Sequence, residues 1–190
     1  MNNYSLRRIE KDDLQQVLTW RNSENIRRLM LSDSLISWAE HCHWFDRLQE
    51  RDDCDFQIFC VDGQRVGTVS FSDIDRGNGR CRWGFYVGEE FSAGGYGSIL
   101  AYHGLEYAFS QYTLHKIMAE VVDFNKKSLH FHSKLGFVET GLLKEHLLRA
   151  GKYVDVVLLS LFRRDWEVKK SQVLQAALEK IERRGVGDGK

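Results

Sequence analysis

The stretch Trp83–Phe137, WGFYVGEEFSAGGYGSILAYHGLEYAFSQYTLHKIMAEVVDFNKKSLHFHSKLGF, decides the fold. Its apolar, aromatic start predicts a strand over 82–87. The glycine-rich turn Gly94-Gly95-Tyr96-Gly97 then opens a helix expected to run to about Gln111. A second strand follows over 116–122, then Asn125 and a short helix ending in Leu135-Gly136-Phe137. Glycine lets backbone N–H groups approach a ligand with no Cβ in the way. At a helix N-terminus, unpaired N–H groups and the helix dipole favour phosphate. Read alone, the glycines could equally be a tight strand-to-helix turn. The strand and the Asn-x-x-Ser…Lys-Leu-Gly-Phe run after them make the set specific.

That combination resembles the GNAT superfamily of acetyl-CoA-dependent N-acetyltransferases. The family's diphosphate loop reads Arg/Gln-x-x-Gly-x-Gly/Ala, which aligns Gly95 and Gly97 and puts Ser92 where a basic or amide residue usually stands. The resemblance implies a single α/β domain with a mixed, splayed sheet of about seven strands flanked by helices. It implies that Gly94, Gly95, Tyr96, Gly97 and Ser98 hold the diphosphate of coenzyme A. Tyr86 and Val87 would pair through their backbone with the pantetheine arm, and Asn125 would contact that arm or cap the following helix. With Ser92 in the loop, anchoring falls mainly to backbone N–H groups.

Moving outward, Tyr4 to Ile9 reads as a first strand, and Asp12 or Asp13 as the cap of a helix carrying Leu14, Val17, Leu18 and Trp20. Ser37-Trp38-Ala39-Glu40 is a capping-box sequence that starts another helix. Asp62-Gly63 joins strands over 55–61 and 66–71, and Arg76-Gly77-Asn78-Gly79 is a second turn. Beyond Phe137, segments around 139–146 and 153–162 form a hairpin turning at Ala150-Gly151-Lys152. A charged helix over 164–184 carries Val173, Leu174, Ala177, Leu178 and Ile181 on one stripe. It extends past the minimal family domain, which gives a division into 1–166 and 167–190. The stripe is expected to pack on the molecule's own sheet, with a homodimer as the alternative, and the last residues to fray.

At 190 residues, with 43% apolar and 28% charged content, the chain is sized for one domain. Zero formal net charge argues against a broad nucleic-acid-binding face. The start lacks an apolar leader, and no run is long enough to span a membrane. Cys42, Cys54, Cys60 and Cys81 lack C-x-x-C spacing and read as reduced thiols in a cytoplasmic protein. His41-Cys42-His43 and His130-x-His132 do not converge on one helix face, so no metal is expected.

Acetyl transfer needs a neutral amine, an aligned thioester and a proton for the leaving thiolate. By the resemblance, Glu120 is the candidate base, with Glu89 and Glu90 as rivals. His132 takes the place of the family's thiolate-protonating tyrosine, with Tyr86, Tyr96 and Tyr102 as alternatives. The run Trp20-Arg21-Asn22, then Ile26-Arg27-x-x-Met30 with Arg28 inside it, then His41-x-x-Trp44-Phe45 is similar to one branch. That branch acetylates the 4-amino group of UDP-linked 4-amino-4,6-dideoxy sugars in pseudaminic acid biosynthesis, which supplies flagellin glycosylation. The implied partners are acetyl-CoA and a UDP-amino sugar, held by Trp20, Arg21, Asn22, Arg27, Arg28, Trp38 and His41. The hairpin pattern Gly141…Gly151-Lys152-Tyr153-x-Asp155 is shared with ribosomal-protein N-terminal acetyltransferases, the rival enzyme reading. A non-catalytic acyl-CoA sensor is the rival outside enzymes.

Overall fold

Asp62 and Gly63 both adopt positive φ, 49° and 79°, as a two-residue type I′ turn requires. They fold β2 (Asp55–Val61) back onto β3 (Gln64–Asp75). The same device recurs at Ala150 and Gly151, φ 46° and 79°, joining β6 (Val138–Arg149) to β7 (Lys152–Phe162). Between these hairpins lie β4 (Arg80–Val87) and β5 (Lys116–Val122), and β1 (Tyr4–Arg8) closes the N-terminal edge. The computed structural model describes residues 2–88, 90–91 and 95–185. Its sheet has seven strands in the order β1-β2-β3-β4-β5-β7-β6, the mixed α/β architecture expected. Fraying is expected over 185–190; Gly185 is the last residue of the final helix, and 186–190 lie outside the described residues.

One pairing matters most for function. Every neighbouring pair is antiparallel except β4 and β5, which run parallel and pair only over Arg80–Lys116, Cys81–Ile117 and Arg82–Met118. Beyond Arg82 the two strands separate. From Trp83 to Val87, β4 remains paired with β3 and turns its other edge to the gap.

Alternation assigns the two faces. Cys81 and Trp83 of β4, and Ile117, Ala119 and Val121 of β5, enter the main core. Helices α4 (Tyr96–Gln111) and α6 (Arg163–Gly185) pack there. Leu135 at the end of α5 (Lys126–Leu135) joins the same core. Tyr86 points the other way, into a second core with Trp20, Ile26 and Phe45 from α1 (Leu14–Asn22), α2 (Glu24–Arg27) and α3 (Trp38–Glu50).

The capping box before α3 forms as expected. Ser37 accepts from the Glu40 amide, and the Glu40 carboxylate accepts from the Ser37 amide at 2.7 Å. The cap before α1 differs. Asp13 makes no side-chain cap to that helix. Its fully buried carboxylate takes Arg7, Arg65 and the Glu10 amide instead, at 2.7, 2.7 and 2.8 Å. Helix α6 runs unbroken across the 166/167 boundary, and Trp166 and Ala177 both lie in the main core. Leu178, placed on the buried stripe by spacing, is 39% exposed.

Candidate active site

The residues that could hold the acetyl donor lie at the end of β4 and the start of α4. Gly95 takes φ +80° as the N-cap of α4, a left-handed conformation that glycine adopts without strain. Gly97 sits in the first turn, and a Cβ there would meet only Val87 Cγ2, at 3.8 Å. That space, the helix N-terminus and the open edge of Tyr86 and Val87 fit a diphosphate followed by an extended pantetheine arm. Tyr96 and Ser98 lie in the same turn. Glu89, Ser92 and Gly94 lie outside the described residues.

Asn125 caps α5. Its Oδ1 accepts from the Ser128 amide at 3.1 Å, and its own amide donates to Val122. Gly136, φ +102°, ends the helix, with the Phe137 amide bonded to the His132 carbonyl, as in a Schellman cap.

His132 is 5% exposed. Its ring stands edge-on to Phe137 at 4.9 Å and Trp83 at 5.8 Å, with Phe85 at 5.9 Å. Nδ1 lies 2.9 Å from the Ser128 carbonyl. A carbonyl only accepts, so Nδ1 carries the hydrogen. Burial pushes the imidazole pKa below its ordinary value, against that hydrogen bond. A neutral ring protonated at Nδ1 has no proton on Nε2 to give a thiolate. The geometry therefore supports His132 as a packing and positioning residue between α5 and β4.

Glu120 occupies the opposite face of the sheet. It lies beyond the last β4–β5 pair and bonds Arg82 Nη1 at 3.0 Å. Arg82 also reaches Asp73 at 3.3 Å. Tyr86 shares this face by alternation. Burial pushes its phenol pKa up to about 12, against a hydrogen bond with Thr68 and the charge of Arg21. A protonated phenol and a carboxylate thus share one face of the sheet beside the gap. The rival Glu90 instead accepts from Trp20 Nε1 at 2.8 Å and Gln16 Nε2 at 3.3 Å. Tyr102 packs beside Trp166, ring centroids 5.9 Å apart.

The expected acceptor residues divide into three groups. Trp20 and His41 do not offer surface to a ligand. Trp20 is 2% exposed, its indole lying where a Cβ on Gly88 would sit. His41 is 4% exposed and stacks on Trp44 at 5.0 Å. Apolar packing claims both, because α1 and α3 need aromatic mass to fill the second core. Asn22 is a loop clamp, bonding the Ile36 carbonyl and amide at 2.8 and 2.9 Å. Trp38 and Arg28 are exposed.

Arg21 and Arg27 form the third group, with a residue that the sequence reading missed. Arg149, at the end of β6, donates to the Met30 and Leu31 carbonyls at 2.5 and 2.6 Å and pairs with Asp33. Arg21 donates to Ser32 O at 2.7 Å, and Arg27 to Asp33 O at 2.5 Å. Three guanidinium groups gather at the loop over 30–33, whose carboxylate is that of Asp33. Arg21 Nη1, Arg27 Nε and Arg149 Nε are buried with no protein partner. Burial, then the charges of Arg27 and Arg149, hold the Arg21 pKa below its ordinary value, with Tyr86 and Asp33 opposing. No local pattern could have found Arg149, since its partners lie 118 and 119 residues away.

Comparison with known proteins settles the family. The profile of the acetyltransferase (GNAT) domain matches residues 4–138. The chain belongs to the GNAT acetyltransferase family. It is an acetyl-CoA-dependent N-acetyltransferase. It is 24% identical to spermidine N(1)-acetyltransferase of Escherichia coli K12, over 85% of this chain and 87% of that protein. It is 30% identical to the [ribosomal protein uS5]-alanine N-acetyltransferase of the same organism, over 58% of each chain. The crystal structure of Vibrio cholerae spermidine N-acetyltransferase with CoA and spermine superposes with a TM-score of 0.81 at 23% identity. It covers 86% of this acetyltransferase and 97% of that chain. Among the described residues no group of His, Cys, Asp or Glu could hold a metal ion. No helix among them is long and apolar enough to cross a membrane, and all four cysteines are unbonded.

Proposed function

We propose that the acceptor is a UDP-linked 4-amino-4,6-dideoxy sugar, acetylated at its 4-amino nitrogen, as in pseudaminic acid biosynthesis. The observation that carries this reading is the rim of Arg21, Arg27 and Arg149. Three guanidinium groups face one carboxylate, and each keeps a buried nitrogen without a protein partner. A diphosphate supplies acceptors of the required charge and fork geometry. A polyamine meets the opposite situation. An ammonium about 4 Å from one uncompensated guanidinium is repelled by about 4 kcal/mol at an effective dielectric of about 20. Exposed Trp38 offers a flat wall for a uracil. Arg149 also ties the β6–β7 hairpin to the loop after α2.

In this reading, the backbone edge of β4 aligns the thioester in the gap. Glu120 accepts the amine's proton through water, and the Tyr86 phenol faces the leaving sulfur.

The test is direct. The enzyme and acetyl-CoA are incubated with UDP-4-amino sugars, spermidine and peptides carrying free N-termini, and products are followed by mass. Acetylation of a UDP-amino sugar is expected, with Arg21→Ala raising its KM about tenfold, the scale of one charge-assisted contact. Turnover of spermidine or peptide with no sugar product would reject this acceptor and leave only the family activity.

A further inference from the structure

Arg82 stands where the parallel pair β4–β5 opens. Arg82 and Met118 form its last paired position. Glu120 lies two residues further along β5, on the same face as Met118. Continued past that pair, the register would set Gly84 opposite Glu120. Gly84 brings no side chain, and a Cβ there would have Ser70 Oγ as its nearest neighbour, at 3.6 Å. The other edge of β5 is paired with β7, where Glu120 stands opposite Leu158. Among the described residues, the side chain that bonds the Glu120 carboxylate is Arg82, Nη1 to Oε1 at 3.0 Å.

Arg82 is itself held from the other flank. Its Nε lies 3.3 Å from Asp73 Oδ2. Asp73 sits where the pairing of β3 with β4 shifts register, between Ser72 and Asp75, and it takes φ +50°. Such an irregularity re-aims a side chain that a regular ladder would point elsewhere. A charged chain, Asp73–Arg82–Glu120, thus crosses three strands at the mouth of the gap. The guanidinium is planar and spends Nε on one carboxylate and Nη1 on the other, so its rigid fork sets where both stand.

We propose that Arg82 is a positioning residue for acetyl transfer, holding Glu120 by Oε1 and leaving Oε2 to take the amine's proton in the space beside Gly84. The inference rests on the reading of Glu120 as the base. It is independent of which acceptor the enzyme uses, because every primary amine loses a proton on acetylation. The Arg82 side chain is 49% exposed, so the ion pair contributes little to stability. Its loss is read in the rate.

Steady-state release of CoA tests it, with acetyl-CoA and a UDP-4-amino sugar, spermidine or a peptide with a free N-terminus. The same pattern is expected with whichever of these amines is turned over. Glu120→Gln is expected to lower kcat about a hundredfold or more. Arg82→Gln is expected to lower kcat about tenfold by misplacing the carboxylate, with KM for acetyl-CoA within about twofold of wild type and the melting temperature unchanged. Arg82→Lys can still give Glu120 one charge-assisted bond, and is expected to recover kcat to within about threefold of wild type. The double variant Arg82→Gln/Glu120→Gln should be no slower than Glu120→Gln alone, since Arg82 then has no carboxylate to position. A kcat within about twofold of wild type in Arg82→Gln would overturn the proposal, as would a further loss of about tenfold in the double variant. A kcat within about threefold of wild type in Glu120→Gln would instead reject Glu120 as the base, and the positioning role with it.

Discussion

At the scale of single residues, His132 shows how position and chemistry separate. Its spacing from Leu135-Gly136-Phe137 puts it at the family's tyrosine position, but its Nδ1–H is spent on Ser128 and its ring is enclosed. His132→Phe preserves an aromatic ring in the cage. It is expected to retain kcat within about threefold and to leave the pH–rate profile unchanged. A general acid is worth about a hundredfold or more. A loss of that size, with the melting temperature intact, would return His132 to the proton path. Trp20 carries the same lesson, because Trp-Arg-Asn reads as a binding motif while the indole fills the space over Gly88 and bonds Glu90.

At the scale of elements, two features stand out: the splay of β4 from β5 and the docking of α6 against α4. The splay follows from pairing that stops at Arg82 and Met118, which frees one edge of β4 for a ligand backbone. The docking rests on Trp166, fully buried, whose Nε1–H donates to Glu106 at 2.6 Å. Trp166→Ala is expected to cost about 3 to 5 kcal/mol. For a chain of this size that lowers the melting temperature by about 10 °C, read by differential scanning calorimetry. A melting temperature within 2 °C (about 1 kcal/mol) of wild type would show that α6 lies outside the cooperative unit. The strands, both two-residue turns, the Ser37–Glu40 cap and the Gly136 helix end were legible, because each is decided by neighbours in sequence. The absence of a side-chain cap from Asp13 to α1 was not, since Arg7 and Arg65 reach its carboxylate from other strands.

At the scale of the molecule, three histidines couple stability to pH. Burial holds His41, His103 and His132 below the ordinary imidazole value, opposed by a Leu14 backbone bond, by Glu106 and by a Ser128 backbone bond respectively. The folded state keeps them neutral, while the unfolded chain binds protons near pH 6.5. Their stability contribution is therefore complete above about pH 6.5 and is lost as the pH falls below it. Asp13 acts in the same direction at lower pH. Burial would raise its pKa, but hydrogen bonds from Arg7 and the Glu10 amide, with the charges of Arg7 and Arg65, hold it below the ordinary value. Urea midpoints are expected to be flat from pH 8 to 7 and to drop between pH 6 and 5. A midpoint unchanged down to pH 5 would show that these imidazoles protonate freely in the folded state.

The sequence by itself determined the family fold, the order of its elements and the glycine turn that opens α4. All three rest on local signals: strand alternation, glycine at positive φ, and caps within one turn of a helix. Only the tertiary structure decided which motif residues are buried and which stay exposed. Burial consumed Trp20 and His41, and the sheet put Glu120 and His132 on opposite faces. It also brought Arg149 to the loop over 30–33 beside Arg21 and Arg27, from a distant part of the chain. Those placements depend on how strands and helices pack across long sequence separations, and a lone basic residue on a hairpin carries no local mark of its neighbour.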